Sequence, residues 1–105
     1  MALGLSDAVA KAFTSLGFDG PTEIQRLAIP QLIARRDAYV SSATGTGKTF
    51  AYLAPILSAI EPTDASIRAV IVSPTHDLAA QIERETLRLA EAAESPVRVA
   101  MALGS

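Results

Sequence analysis

The chain of 105 residues has no cysteine and no tryptophan, and it holds a single histidine. The lack of cysteine excludes disulfides and thiolate metal sites, and one histidine cannot form a zinc site. Residues 49–60 are the longest stretch without a charge, shorter than the ~18–20 residues of a membrane span. No basic segment precedes an apolar one at the amino terminus. We therefore expect no membrane span, no secretory signal and a cytoplasmic location.

The chain also has little net charge. It carries 9 Lys and Arg against 11 Asp and Glu, a formal charge of −2. No general cationic field surrounds it, so contact with a nucleic acid would need a local patch or backbone amides. Half of the residues are apolar, which disfavours disorder and is typical of one small domain.

Helical spacing of apolar residues predicts four helices. The first follows the N-cap candidate Ser6 and stops at Gly17, and the second begins at the capping-box pattern of residues 22–25. The second helix runs to Ile33, and Pro30 should kink or shorten it. The third spans about residues 47–60 with a bend at Pro55, and the fourth ends at the break of residues 95–96. Apolar positions at helical spacing include Val9, Ala12, Phe13, Leu16, Leu78, Ile82, Leu89 and Ala93.

Three short apolar runs separate these helices and are predicted to be strands. They are residues 38–41, 69–72 and 97–103. Residues 69–72 are rich in β-branched side chains and are predicted to be buried on both faces of the sheet. Strands that alternate with helices favour right-handed crossovers. The predicted fold class is α/β, with a parallel sheet covered by helices on both faces.

The strongest chemical pattern is residues 42–49, Ser-Ala-Thr-Gly-Thr-Gly-Lys-Thr, where a predicted strand meets a helix. Gly45 and Gly47 allow successive N–H groups to point at one anion, and the helix that follows adds its positive dipole end. Lys48 would reach the β- and γ-phosphates, and the Thr49 hydroxyl would hold Mg²⁺. The general phosphate-loop pattern opens with Gly, where this chain has Ser42. A plain Gly-rich turn is the simpler explanation, but it rarely ends in Gly-Lys-Thr between a strand and a helix.

Residues 42–49 resemble the A-x-T-G-S-G-K-T phosphate loop of DEAD-box RNA helicases. Residues 17–25 are similar to the G-F-x-x-P-T-x-I-Q motif of that family, which reads adenine. Residues 74–81 resemble its P-T-R-E-L-A-x-Q motif, with His76 in place of Arg and Asp77 in place of Glu. Gly104 and Ser105 lie where the family has a Gly-Gly pair. The resemblance implies that residues 1–105 are the amino-terminal portion of a RecA-like ATP-binding domain.

The resemblance also implies which residues form the sites. The cofactors would be ATP and Mg²⁺, with Thr49 as the metal ligand and with Lys48 and Thr49 in catalytic roles. The implied nucleotide-binding residues are Phe18, Thr22, Gln25, Thr44, Gly45, Thr46, Gly47, Lys48 and Thr49. The implied RNA-binding residues are Pro74, Thr75, His76 and Gly104.

Several of these residues also have simpler explanations. Gln25 could read the adenine N6 and N7 edge, or it could only complete the capping box with Thr22. Phe18 could stack on the base, although such a residue is more often part of a core. Thr75 could donate to an RNA phosphate or cap the fourth helix. His76 can form fewer hydrogen bonds with a phosphate than Arg can, so RNA binding should be weaker or pH-dependent. Alternatively, His76 is only a solvated loop residue.

Hydrolysis in the family needs a D-E-x-D motif and arginines from a second RecA-like domain, and neither is present in these residues. No two acidic residues are adjacent anywhere in the chain. We therefore expect a segment of an ATP-dependent RNA helicase that binds ATP but does not hydrolyse it alone. One alternative is a non-catalytic module that binds a nucleotide or a helicase partner. Another is a different phosphate-loop enzyme, such as a kinase or a GTPase, which the adenine-reading motif disfavours.

Overall fold

The computed structural model describes residues 3–18, 20–40, 47–60 and 66–102. These ranges contain four helices: α1 (Asp7–Ser15), α2 (Glu23–Ile33), α3 (Lys48–Ala59) and α4 (His76–Ala92). All four predicted helices are confirmed, with ends within a few residues of those expected. Both α2 and α3 continue past an internal proline, at Pro30 and Pro55. None of the helices in the described ranges is long and apolar enough to cross a bilayer.

Three of the helices begin with a side-chain cap. The Ser6 Oγ accepts a hydrogen bond from the Val9 N–H at 3.3 Å, and the Thr75 Oγ1 accepts one from the Leu78 N–H at 3.1 Å. At the start of α2, Thr22 and Gln25 form the complete capping box. Each cap satisfies an N–H group that the helix itself leaves without an acceptor. The caps predicted at Ser6 and Thr22 are therefore confirmed, and of the two roles left open for Thr75 the structure shows the helix cap.

The end of α1 is a Schellman motif. Gly17 has a φ of 91°, and its N–H donates to the Thr14 carbonyl at 3.0 Å. The N–H of Phe18 donates to the Phe13 carbonyl at 3.1 Å. This pair of hydrogen bonds reverses the chain and places the Phe18 ring against Phe13, with ring centroids 5.6 Å apart. The helix stop predicted at Gly17 is confirmed.

The ends of α2 and α4 have the same geometry without glycine. Arg35 has a φ of 62° and Glu94 a φ of 54°. The Arg35 N–H donates to the Leu32 carbonyl at 3.0 Å, and the Glu94 N–H donates to the Glu91 carbonyl at 3.1 Å. A left-handed conformation is costly for residues with a Cβ atom, so both positions hold backbone strain.

The core lies where α1, α3 and α4 meet, and α2 packs along α3. Three aromatic rings, those of Phe13, Phe18 and Phe50, contact one another edge to face with centroids 5.4–5.9 Å apart. The buried cluster is Val9, Ala12, Phe13, Ile29, Phe50, Leu53, Ala54, Leu57, Leu89, Ala90 and Ala93. The helices thus hold one another in place through their apolar faces, without a sheet between them in the described residues.

The predicted parallel sheet is not confirmed. Within the described ranges no residue is in a β-strand, and residues 38–40, 69–72 and 97–102 have neither helix nor strand. A strand forms when its N–H and C=O groups bond to a neighbouring strand. The prediction that residues 69–72 are buried on both faces is wrong, because Val70 is 78% exposed and Val72 is 90% exposed. In the described ranges these segments have strand-like composition without the ladder of hydrogen bonds that defines a strand.

We expect Arg35→Gly to stabilise the protein by about 0.5–1 kcal/mol, because glycine adopts a positive φ without a steric penalty. Urea denaturation followed by circular dichroism measures the change. The matched control is Arg36→Gly, an exposed neighbour that is not among the positive-φ residues of the described chain. The control should give no gain. Equal effects of the two variants would contradict strain at Arg35.

Candidate nucleotide site

The Gln25 side chain connects the beginnings of α2 and α3. It is only 2% exposed, and both ends of its carboxamide have partners. Its Oε1 accepts a hydrogen bond from the Thr22 N–H at 3.0 Å, and its Nε2 donates one to the Gly47 carbonyl at 3.2 Å. The second contact joins residues 22 positions apart in the chain. The capping box predicted at Thr22 and Gln25 is thus confirmed, together with a long-range contact that the sequence did not reveal. The predicted role of Gln25 in reading adenine is not tested by these contacts and stays a prediction.

Gly47 is the residue just before α3, and its place requires glycine for two reasons. Its φ is 88°, in the left-handed region. A Cβ atom at this position would lie 2.6 Å from the Gln25 Nε2 and 3.0 Å from the Thr22 Oγ1. The glycine before Lys48 was interpreted as part of a phosphate loop. The structure adds that it allows the start of α2 to pack closely against the start of α3.

Lys48 and Thr49 form the first turn of α3, and both are half-buried. Of the four helices in the described ranges, α3 is the one whose N-terminus has no side-chain cap. The N–H groups of a first turn have no acceptor within the helix, and the helix dipole makes this end positive. This end of α3 therefore combines a first turn that no side chain caps in the described residues with a lysine, which suits an anion. Residues 41–46, with the predicted ligands Thr44, Gly45 and Thr46, lie outside the described residues.

The Phe18 ring lies close to the same end of α3. It contacts Phe50, the residue after Thr49, with ring centroids 5.4 Å apart. It is half-buried and packs against the core cluster, so the simpler explanation of Phe18 as a core residue is confirmed. Its predicted role as a surface on which a base stacks is not tested by these contacts and stays a prediction.

Tyr52 lies one turn after Thr49 on α3 and was not singled out from the sequence. Burial raises the pKa of the Tyr52 phenol above its usual value, and the Thr49 side chain opposes this effect in part. The phenol is therefore protonated at neutral pH.

The predicted RNA-binding residues lie at the start of α4. Pro74, Thr75 and His76 are exposed. The Thr75 hydroxyl accepts the hydrogen bond from Leu78 that caps the helix, so the capping explanation is confirmed. A hydroxyl that accepts one hydrogen bond can still donate its proton, so capping leaves a donor for a phosphate oxygen. Gly104 lies outside the described residues.

Within the part of the chain that the structure describes, no three His, Cys, Asp or Glu residues cluster as a metal site. Magnesium is commonly bound through one or two protein oxygens plus phosphates and water. The Thr49 hydroxyl, at the first turn of α3, is an oxygen of the kind that such an ion takes, and its role as the metal ligand stays a prediction.

We expect Gly47→Ala to destabilise the protein more than Gly17→Ala does. Both glycines have a φ near 90°, so each variant has the strain of a left-handed alanine. Only at Gly47 would the new methyl group meet other atoms, since nothing lies within 4 Å of a Cβ at Gly17. The excess loss should be about 1–3 kcal/mol, measured by urea denaturation. Equal losses would mean that Gln25 does not pack against Gly47.

A family model described as DEAD/DEAH box helicase matches residues 22–105. The chain is 40% identical over 97 residues to DEAD-box ATP-dependent RNA helicase 57 of Arabidopsis thaliana, a match that covers 91% of this chain and 18% of that protein. It is 38% identical over 102 residues to the ATP-dependent RNA helicase CshA of Limosilactobacillus reuteri, covering 97% of this chain and 20% of that protein.

Among solved structures, the fold is similar to the RNA-helicase Prp28 from Chaetomium thermophilum bound to ADP. The TM-score is 0.75 at 35% sequence identity, and the match covers 87% of this chain and 23% of that one. The chain thus spans about a fifth of the length of the relatives it matches. Because the family model matches most of the chain, the resemblance seen in the sequence is confirmed: the chain belongs to the DEAD/DEAH box helicase family.

Proposed function

We propose that this chain is the adenine- and phosphate-binding part of an ATP-dependent RNA helicase. Residues 1–105 would form the amino-terminal portion of its first RecA-like domain, with the adenine-reading segment at residues 17–25 and the phosphate loop at residues 42–49. The observation that carries the proposal is the hydrogen bond from the Gln25 Nε2 to the Gly47 carbonyl. It brings the predicted base-reading side chain to the residue that precedes Lys48.

The start of α3 would bind the triphosphate. Lys48 would neutralise the β- and γ-phosphates, and the open N–H groups of the first turn would donate to phosphate oxygens. Thr49 would offer its hydroxyl to Mg²⁺. When bound, the ion neutralises phosphate charge and orients the terminal phosphate. Lys48 and Thr49 would thus contribute binding and charge stabilisation to the reaction.

Gln25 would select adenine. A carboxamide has two N–H donors and an oxygen with two lone pairs, and the observed contacts use one of each. The second N–H and the second lone pair match N7 and the N6 amino group of adenine. Because Gln25 is 2% exposed, the base can reach it only by displacing neighbouring atoms. Phe18 would offer an apolar face next to the base.

RNA would bind at the start of α4. The exposed Pro74, Thr75 and His76, together with Gly104, would contact the sugar-phosphate backbone rather than the bases. The Thr75 hydroxyl can donate one hydrogen bond while it caps the helix. The His76 imidazole would donate one hydrogen bond to a phosphate oxygen.

Hydrolysis would need groups from outside these 105 residues. The chain has no adjacent acidic pair that could hold Mg²⁺ through water and orient the attacking water. Further strands would also complete the fold. With neighbours to pair with, residues 38–41, 69–72 and 97–103 would become the strands of a parallel sheet with helices on both faces. The cytoplasmic location expected from the sequence stays a prediction.

A second candidate function is a non-catalytic module that binds a nucleotide or a helicase partner. The exposed apolar segment around residues 67–72 favours it, since Ile67 is 85% exposed and Val72 90%. Such a surface is typical of a site that another chain segment covers. ATP hydrolysis by the purified chain that Lys48→Ala abolishes would exclude this second function.

We expect Lys48→Ala to weaken ATP and GTP binding alike, by about 10–100-fold, because the lysine contacts phosphate only. Gln25→Ala should instead lower the preference for ATP over GTP about tenfold, with a smaller loss of phosphate affinity. Calorimetric titration of each variant with both nucleotides and Mg²⁺ measures these effects. Partial unfolding would lower the affinities for ATP and GTP together. The ratio of the ATP affinity to the GTP affinity therefore reports on the contact between Gln25 and the base.

The matched control is Gln31→Ala, which removes an exposed glutamine from the same helix. It should leave both affinities unchanged. If Gln25→Ala lowers ATP and GTP binding equally, Gln25 has a structural role only. If the wild-type chain folds but binds neither nucleotide, the proposed function is wrong for this chain.

We expect His76→Arg to strengthen RNA binding severalfold, because a guanidinium is always charged and can bind a phosphate with two hydrogen bonds. His76→Gln, which replaces the imidazole with an uncharged polar side chain, should give no gain in affinity. Fluorescence anisotropy with a labelled single-stranded RNA measures both variants. Equal affinities of His76→Arg and the wild-type chain would contradict a contact between residue 76 and the RNA backbone.

A further inference from the structure

A groove of about 620 Å³ lies between the carboxyl-terminal ends of α2 and α3, and the segment before α1 forms its third wall. The Ser6 N–H donates a hydrogen bond to the Ser58 Oγ at 3.1 Å, which joins that segment to α3. The same segment packs closely on α2, since a Cβ atom at Gly4 would lie 3.2 Å from the Ile33 Cγ2. The walls of the groove are thus held by contacts between residues far apart in the chain.

The interior of the groove is apolar. Its apolar lining includes Leu5, Ile33, Pro55, Ile56 and Ile60. All five are buried or half-buried, so they form a floor rather than an exposed patch. The volume falls within the range of about 300–1,000 Å³ that is typical of ligand-binding clefts. The groove therefore has room for several apolar side chains of a partner.

The rim of the groove has the opposite charge from the chain as a whole. Arg35, Arg36 and Arg68 line it, and Asp37 is the single acidic residue among the lining residues that the structure describes. These exposed side chains give the rim a formal charge of +2, whereas the chain carries −2. Carboxylates form strong, charge-assisted hydrogen bonds with guanidinium groups. The rim therefore suits an acidic partner.

Arg35 has a backbone feature that points to the same use. Its φ of 62° is a conformation that glycine would adopt without strain. Strained residues of this kind are concentrated at functional sites, where the side chain compensates for the strain. A guanidinium at the rim of the groove is a function that glycine could not supply.

We propose that this groove, the arginine groove, is a docking site for a short peptide that carries both acidic and apolar side chains. The apolar side chains would fill the space between α2 and α3, and the carboxylates would bind Arg35 and Arg36 at the rim. A nucleic acid would satisfy the arginines, but its charged backbone would not bury the apolar floor. Charge and apolarity together therefore favour a peptide.

The arginine groove lies away from the proposed nucleotide and RNA sites. On α3 its lining residues lie mainly at positions 55–60, whereas the phosphates would bind at the first turn of this helix of 12 residues, which is about 18 Å long. A peptide and a nucleotide could thus be bound together. The inference goes beyond the proposed function, since it requires neither ATP nor RNA.

The test measures binding of a fluorescein-labelled peptide of alternating glutamate and leucine to the folded chain, by fluorescence anisotropy. One control peptide has glutamine in place of glutamate, and another has serine in place of leucine. Each control lacks one of the two features that the groove recognises, so each should bind about tenfold more weakly. Saturating ATP with Mg²⁺ should leave the affinity for the glutamate–leucine peptide unchanged.

Arg35→Gln and Arg36→Gln should each weaken binding of this peptide about threefold to tenfold, because each variant loses a charged donor. The matched control is Arg84→Gln, which removes an exposed arginine of α4 that does not line the groove and should change nothing. Arg35→Gly should also bind the peptide more weakly. Because this variant is expected to be more stable than the wild-type chain, its loss of affinity would not come from unfolding.

Equal affinities of Arg35→Gln, Arg36→Gln and Arg84→Gln for the peptide would overturn the inference. Displacement of the peptide by ATP would also overturn it, since the peptide would then lie at the start of α3. A single-stranded RNA that displaces the peptide and binds Arg35→Gln more weakly than the wild-type chain would assign the groove to nucleic acid instead. A folded chain that binds the peptide at the arginines but binds no ATP would overturn the proposed function alone.

Discussion

The candidate site depends on one buried carboxamide. The Gln25 side chain accepts a hydrogen bond from the Thr22 N–H and donates one to the Gly47 carbonyl, so the first turns of α2 and α3 are held together. A buried carboxamide without these partners would be costly, since each unpaired polar atom loses its hydration. The same contacts require that Gly47 have no side chain. The packing of α2 against α3 therefore requires the glycine before Lys48.

The packing around this contact places other groups at the same end of α3. The Schellman motif after α1 turns the Phe18 ring toward Phe13 and Phe50, and Phe50 adjoins Thr49. The residues proposed to recognise the base, Gln25 and Phe18, thus lie next to the first turn of α3, which is proposed to bind the phosphates.

Much of the helical structure could be predicted because it depends on neighbours in sequence. Ser6, Thr22 and Thr75 cap helices that begin within three residues of them, and Gly17 supports a positive φ that few other residues adopt easily. The strands could not be confirmed in the same way. Residues 69–72 have the β-branched composition of a strand, but a strand also needs a partner, and here Val70 and Val72 are exposed.

The sequence by itself determined the helices, their caps and membership of a helicase family, because spacing, capping and the Gly-Lys-Thr pattern are local properties of the chain. Only the tertiary structure decided that Gln25 contacts Gly47 and that Phe18 packs against Phe50. These contacts join residues far apart in the chain, and they depend on how α1, α2 and α3 pack. The helix or strand preference of single residues does not predict such long-range contacts, because the burial of apolar faces between helices sets them.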